Sequence, residues 1–359
     1  MNLDEHSSWC QWLNDETKRR LLSACFMFDV HQAMYHQQPR FKSPTDESRF
    51  FVCLPAQDHV WDARNASEWL QFDDHHIQPP RLIEQDVSTR AIFNTSSFTQ
   101  SLMICWLASD LPPRESSTHL KDLLPQMHPA VEKLIAIFPN SPQVHTYLAL
   151  YYTPLHDLLA IAGDTWVFAQ KITPPSAFHD AQIRLKTWST SLAAAQATHH
   201  ACRILSTALN QPLPSSPDDR AYGPHCISDY WSIYVSALIC WAFGHRYQNS
   251  GSANSGSLSR SNSSTAIGAM DVDETAISES AHLKAVKYAN DILELSVEEL
   301  LTSKAAVKCD TTGVIDAIRQ RLEFESIGNR SGLLVDAVTV LSKIKEGGRT
   351  KDGGRTKWF

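Results

Sequence analysis

Two of the places where acidic and histidine side chains are adjacent in this 359-residue sequence are candidates for a chemical site. The first is Asp73-Asp74-His75-His76. Carboxylate and imidazole groups are ligands of catalytic zinc, so this run would suit a metal-dependent helical hydrolase or cyclase. In a polar stretch just before Pro79-Pro80, however, the same run is more often a solvated charge cluster. We favour that second interpretation and predict no metal ligands.

The second place is His156-Asp157, which follows Pro154 directly. A proline inside an apolar helical pattern removes a backbone donor and breaks the helix. Polar side chains beside such a break either line a pocket or bond the freed carbonyls, and we favour the latter. The candidate effector pocket comprises Tyr152, His156, Asp157 and Trp166.

Sequence motifs of catalysis and of zinc binding are missing. The chain has no G-x-S-x-G elbow, phosphate-binding loop or dinucleotide fingerprint. Its eight cysteines form no C-x-x-C pair, so neither a two-cysteine two-histidine finger nor a binuclear cluster is encoded. His199 and His200 would point about 100° apart on a helix, and His199 is expected to be a hydrogen-bonded core residue. We therefore predict no enzyme, no catalytic residues and no DNA-contacting residues.

Composition restricts the function classes further. The net charge is −7, from 32 Lys plus Arg against 39 Asp plus Glu, which does not favour DNA binding through the overall field. The N-terminus is polar and has no secretory signal. The most apolar helix candidate, 227–244, contains Asp229 and is short for a membrane span. Together with cysteines interpreted as free buried thiols, this indicates an intracellular protein with no membrane contact.

The stretch from Tyr151 to Gln170 organises the predicted fold. Its apolar residues recur three or four apart, as on one helix face. Pro154 should break the helix near Tyr151, Gly163 should end the next piece in a left-handed conformation, and Asp164 should cap a further one.

Helical periodicity recurs along most of the chain, and no segment shows a confident period of two, so the predicted fold class is all-α, a multi-helix bundle. Asn65 and Glu68 have the spacing of a capping box. The predicted helices are Asn14 to Gln38 with Asn14 or Asp15 as cap, Phe98 to Leu107, Met127 to Phe138, one opening at Ser141-Pro142, Pro174-Pro175 to Asn210, Ile227 to Tyr247, one from Ser280, Val314 to Phe324, and Leu333 to Ile344.

Three of these helices have predicted apolar faces. The first carries Leu21, Leu22, Cys25, Phe26, Phe28, Ala33 and Met34. The helix from Ser280 carries Leu283, Val286, Ala289 and Leu293. The longest carries a seam that a partner helix must cover, namely Ala181, Leu185, Trp188, Leu192, Ala195, His199 and Cys202.

Domain boundaries follow from a change in composition. Asn249 to Ala269 is rich in Ser, Asn and Gly and is predicted to be disordered. The expected domains are a main helical regulatory domain over 1–247, a disordered insert over 248–279, C-terminal helices packing on the main domain over 280–346, and a basic tail over 347–359. Serines 257–264, with Arg260 among them, are accessible phosphorylation candidates.

Six stretches carry a family resemblance, in this order: RRLLSACFMFDVHQAMYHQQ, VWDARNASEWL, YYTPLHDLLAIAGDTWVFAQK, RLKTWSTSLAAAQATHHACRIL, DYWSIYVSALICWAFGH and the closing KWF. Together they resemble the fungal-specific transcription factor domain, the regulatory half of fungal zinc-finger transcription factors. The resemblance implies an all-helical, nuclear domain that lies downstream of a zinc module and acts through partners or effectors.

The zinc module itself is missing, so zinc is expected only in the family's N-terminal module and no DNA-contacting residue carries over. The chain is then expected to be a fragment, a truncated gene product or a variant without the DNA-binding zinc module. The implied function is a regulatory region in RNA polymerase II transcription with no cofactor and no direct contact to nucleic acid. Its expected partners are proteins of the transcription machinery or a second copy of itself, and the alternative is a small-molecule effector-binding module.

Overall fold

The computed structural model describes residues 3–40, 54–72, 96–112, 128–163, 175–211, 227–250, 274–302, 311–326 and 331–347. These residues form fourteen α-helices and no strand. The predicted all-α fold class is therefore confirmed.

The helices are numbered here in chain order. They are α1 Leu3–His36, α2 Asp58–Trp61, α3 Ala66–Trp69, α4 Ser97–Ala108, α5 Pro129–Ile137, α6 Pro142–Tyr151, α7 Leu155–Ala162, α8 Pro175–Trp188, α9 Leu192–Asn210, α10 Ile227–Ser250, α11 Glu274–Leu293, α12 Val297–Thr302, α13 Thr312–Ser326 and α14 Gly332–Gly347.

The first helix begins eleven residues earlier than the sequence predicts. Asn14 and Asp15 lie inside α1, so the prediction that either one caps it is wrong. Trp9 and Trp12 pack against a buried cluster of Val60, Ala63 and Trp69, and this tertiary contact favours helix N-terminal to Asn14. The acidic first turn of α1 also suits the positive end of the helix dipole.

The joint around Pro154 is as predicted. Helix α6 ends at Tyr151 and α7 begins at Leu155. Gly163 follows α7 with φ +89° and ψ 18°, and its amide donates to the Leu159 carbonyl at 3.1 Å. The proposed cap at Asp164 lies outside the described residues.

The longest predicted helix is two helices, because the helical backbone is interrupted at residues 189–191. Ser189 Oγ donates to the Lys186 carbonyl and Ser191 Oγ to the Trp188 carbonyl, at 2.8 and 2.7 Å. Ser191 Oγ then accepts from the Ala194 amide and caps α9. Short polar side chains that bond nearby backbone groups favour helix ends over helix interiors, which the apolar spacing alone did not reveal.

One predicted face is largely confirmed and another is rotated from its true position. The α8–α9 seam is buried at Ala181, Leu185, Trp188, Ala195 and Cys202. On α9 the buried histidine is His200, whereas the expected core residue His199 is half-buried. On α11 Leu283 is 62% exposed. The buried side chains of that helix are Ala281, Ala285, Tyr288, Ala289 and Ile292. Small alanines let neighbouring helices approach, so the larger apolar residues do not mark the packed side.

The chain forms two compact units. Unit 1 comprises Met1–Arg114 and Pro125–Tyr147, and unit 2 comprises Glu115–Leu124 and Leu148–Phe359. In unit 1, α1 packs on α3 and α4, and α4 packs on α5. In unit 2, α9 lies against α10, α11 and α12, while α13 packs on α10, α11 and α14.

The domain division predicted from the sequence uses other boundaries and stays a prediction. The two flanks of the predicted insert are helical, since α10 ends at Ser250 and α11 begins at Glu274. Residues 251–273, including the candidate phosphorylation sites, lie outside the described residues. So does the tail beyond Gly347.

Candidate functional site

Three of the four residues of the predicted effector pocket lie in the described part of the chain. Tyr152 and Asp157 are buried in unit 2, whereas His156 is exposed. Trp166 lies outside the described residues. The pocket as a whole therefore stays a prediction.

Asp157 forms an ion pair across the α7–α8 contact. Arg184 donates to it twice, from Nη2 to Oδ1 at 2.6 Å and from Nε to Oδ2 at 2.9 Å. This bidentate geometry raises the pKa of Arg184, first through the hydrogen bonds to Asp157. The carboxylate is buried while the guanidinium side chain is 41% exposed, so the pair is open to solvent on the arginine side.

Trp188 satisfies the backbone at the proline break. Its indole Nε1 donates to the Tyr152 carbonyl at 2.7 Å. The Tyr152 ring lies parallel to the ring of His200, with centroids 6.3 Å apart. Burial, with Tyr151 nearby, raises the pKa of Tyr152 to about 12, so its hydroxyl is neutral at physiological pH. The joint is thus held by neutral polar groups.

A second polar cluster, in unit 1, surrounds the buried hydroxyl of Tyr147. This oxygen lies 2.9 Å from His31 Nδ1 and 3.3 Å from Cys105 Sγ, and it accepts from Gln143 Nε2 at 3.0 Å. Tyr35 stacks on His31 with ring centroids 4.0 Å apart. This cluster is not among the predicted sites, although the i, i+4 pairs His31/Tyr35 and Gln143/Tyr147 are a usable sequence signal.

The Tyr147 cluster is uncharged at neutral pH. Burial, followed by the nearby His36, lowers the pKa of His31 to about 4. Burial raises the pKa of Cys105 to about 11 and that of Tyr147 well above its usual range. A nucleophilic cysteine needs a thiolate, and this environment disfavours one. The cluster therefore joins α1, α4 and α6 through neutral hydrogen bonds.

A buried carboxylate fixes α1 to the segment before α2. Glu16 is 0% exposed, and its Oε1 accepts from the Ala56 amide at 2.8 Å and from Arg20 Nε at 3.1 Å. Arg19 also pairs with Glu16. The Arg20 guanidinium lies over the ring of Trp61, 4.5 Å from its centroid. This network fixes the rotation of α1 about its axis.

That rotation exposes an apolar face on α1. Leu21, Leu22 and Phe28 are 63%, 56% and 65% exposed, and the free thiol Cys25 among them is exposed too. The four residues share one helix face, as predicted. The prediction of buried free thiols is wrong for Cys25, and for Cys10 of the same helix, because both are exposed. The packed side of α1 instead carries Glu16, Ser23, Val30 and Tyr35.

Metal and membrane candidates yield no site in the described residues. No group of three or more His, Cys, Asp or Glu side chains is placed to hold a metal ion there. The Asp73-Asp74-His75-His76 cluster lies outside them. Within the described ranges, none of the helices has the length and hydropathy to cross a membrane.

The N-terminal part of the chain is similar to a known family. Residues 2–136 match the family model of the fungal specific transcription factor domain. This segment is similar to the fungal specific transcription factor domain. It contains α1 to α4 and all but the last residue of α5, and therefore the Glu16 network and the exposed α1 face.

The fungal specific transcription factor domain is a regulatory family and not an enzyme family. Of the six stretches that carry the resemblance, the first two lie inside the matched segment and the other four beyond it. No curated protein matches the chain, and no solved structure does.

Proposed function

We propose that the protein is the regulatory region of a fungal transcription factor, acting in RNA polymerase II transcription through contacts with other proteins. One observation carries the proposal: the family segment presents an apolar face, Leu21, Leu22, Cys25 and Phe28, on the side of α1 away from its packed residues. Contiguous apolar patches are unusual on isolated soluble proteins and mark binding surfaces. We call these four residues the α1 face.

The helix that carries the α1 face is fixed by contacts on its packed side. The Glu16–Arg20 network and the Tyr147 cluster both anchor α1, at its first and second halves. A partner binding to the α1 face would therefore meet a preformed helix and would lose little free energy to ordering it. Such a rigid helix surface suits reversible regulatory contacts.

The proposal includes a nuclear location, no cofactor and no direct contact with nucleic acid. The acidic net charge of −7 supports the last point, because nucleic-acid affinity rests largely on phosphate neutralisation by basic residues. The purified chain should show no sub-micromolar binding to random DNA at moderate salt. Binding of that strength would contradict this part of the proposal.

A reporter assay tests the regulatory function. The full chain, fused to an unrelated DNA-binding domain in a fungal host, should change transcription of a reporter that carries the cognate site. The variant Leu22→Gln/Phe28→Gln should lose most of that change at equal protein abundance. The matched control is Leu283→Gln/Val335→Gln, which alters two exposed apolar residues of unit 2 and should leave the effect intact. A fusion without effect, or equal loss in both variants, would overturn the proposal.

A further inference from the structure

Two cysteines lie against each other at the contact between α9 and α10 in unit 2. The Sγ atom of Cys202 is 3.9 Å from the Sγ atom of Cys240, and one thiol donates a weak hydrogen bond to the other. Both residues are free cysteines with 0% exposure. They are 38 positions apart in the chain, so the packing of α9 on α10 is what brings the two sulfurs together.

The two sulfurs can become bonded after a small movement. Bonded sulfurs lie about 2.0 Å apart, so the thiols must approach each other by about 1.9 Å. One turn before each cysteine, on the same side of its helix, lie Thr198 and Ser236, which are both buried. The distance between packed helices depends on the side chains at the contact, and small side chains such as these allow a close approach.

The surroundings of the pair keep it reduced while the helices stay packed. Burial raises the pKa of the Cys202 thiol well above its usual range, and the hydrogen bond to Cys240 adds to this effect. The thiolate is the form of cysteine that reacts with oxidants, so the packed pair reacts slowly. Local opening of unit 2 would give an oxidant access to the sulfurs, whereas Cys10 and Cys25 of α1 are exposed already.

We propose that Cys202 and Cys240 are an oxidative modification site, at which hydrogen peroxide converts the two thiols reversibly into a disulfide that links α9 to α10. In the first step one thiolate attacks the O–O bond of the peroxide, which gives a sulfenic acid and one water after proton transfer. In the second step the other thiol attacks the sulfenic sulfur, the S–S bond forms and the second water leaves. The two thiols together lose two electrons and two protons, and the one peroxide molecule becomes two water molecules. A thiol reductant reverses the change by exchange.

The disulfide should stabilise unit 2. A link between residues 38 positions apart removes conformational freedom from the unfolded chain. The Tm of the oxidised chain should therefore rise by about 5 °C or more. The inference is independent of the proposed function, because neither cysteine belongs to the α1 face.

Peptide mapping tests the modification directly. The reduced full chain is treated with hydrogen peroxide in native buffer, the remaining thiols are blocked with N-ethylmaleimide, and the digest is analysed by mass spectrometry without reductant. We expect a peptide pair joined through Cys202 and Cys240 in the monomeric chain, together with a raised Tm that dithiothreitol returns to its starting value. Cys240→Ala should abolish the linked peptides and the rise in Tm. The matched control Cys25→Ser, which removes an exposed thiol of α1, should keep both.

Mild urea distinguishes a native pair from a product of unfolding. Because opening limits the reaction of buried thiols, the linked peptides should form about threefold faster or more at a urea concentration below the unfolding transition. The blocking rate of the exposed Cys25 should stay the same. A digest without linked peptides, at a peroxide dose that oxidises Cys25 completely, would overturn the proposal. Linked peptides that form only in urea concentrations that unfold the chain would overturn it too, as would a rise in Tm that persists in Cys240→Ala.

Discussion

The indole Nε1 of Trp188 donates a 2.7 Å hydrogen bond to the main-chain carbonyl of Tyr152. The two residues lie on either side of the α7 helix in sequence, and the bond satisfies a buried acceptor where Pro154 interrupts the helical backbone. This hydrogen bond connects the end of α8 to the proline break between α6 and α7.

Removing this donor should destabilise unit 2. Trp188→Phe keeps a large ring but leaves the Tyr152 carbonyl buried without its partner, a loss of about 1–3 kcal/mol in the free energy of unfolding. Urea denaturation followed by far-ultraviolet circular dichroism measures it. A variant as stable as the unaltered chain would mean that water or another donor reaches this carbonyl.

Gly163 should resist substitution for a conformational reason. Its φ is +89°, yet an added Cβ would meet nothing within 4 Å. Gly163→Ala should therefore cost about 1 kcal/mol of stability through backbone strain alone, and Gly163→Asn should cost less because asparagine tolerates the left-handed region. If the two substitutions are equally costly, backbone strain is not the reason.

Gly313 offers the steric counterpart. An added Cβ would lie 2.6 Å from the Lys284 Cβ, an atom close to the α11 backbone that cannot move alone. Gly313→Ala should cost about 1–3 kcal/mol by forcing α13 away from α11. Gly313→Ser should cost at least as much, unlike the graded response at Gly163. The same denaturation assay separates the two, and a stabilised Gly313→Ala would show that the helices separate freely.

Glu16 should contribute far more to the free energy of unfolding than an exposed carboxylate on the same helix does. Glu16→Ala leaves Arg19 and Arg20 without their buried partner and frees the Ala56 amide, so a loss of about 3–5 kcal/mol is expected. The control is Asp15→Ala, which removes the exposed pair with Lys18 and should cost less than about 1 kcal/mol. Comparable losses would mean that solvent reaches the Glu16 network.

Acid should destabilise unit 1 through His31. Its folded pKa is lowered from 6.5 to about 4, mainly by burial. The unfolded chain therefore takes up a proton below about pH 6.5 that the folded chain refuses until about pH 4. The contribution of His31 to the free energy of unfolding is therefore complete above pH 6.5 and falls as the pH drops from about 6.5 to about 4.

Substitution at His31 should reduce that pH dependence. His31→Gln removes the titrating group and keeps a polar partner for Tyr147, so its free energy of unfolding should change less between pH 7 and pH 5. The exposed His6 provides the control, and His6→Gln should keep the original slope. An identical slope in all three proteins would assign the acid sensitivity to other groups.

The sequence by itself determined the all-α class and several helix ends, because these depend on neighbouring residues. Pro154 lacks an amide hydrogen, Gly163 lacks a Cβ, and Asn65 accepts from the Glu68 amide at 2.9 Å as the capping-box spacing predicts. Local stereochemistry is readable without knowing what packs nearby.

Only the tertiary structure decided which side of α1 and of α11 is buried. Periodicity identifies a face, yet on α1 the apolar residues Leu21 and Phe28 face solvent while the charged Glu16 is buried, because Arg20 and the Ala56 amide compensate its carboxylate. The Tyr147 cluster likewise joins residues 116 positions apart in the chain. Partners at that separation meet only after folding. The free energy of burying one side of a helix therefore depends on residues from other helices, which the sequence of that helix does not reveal.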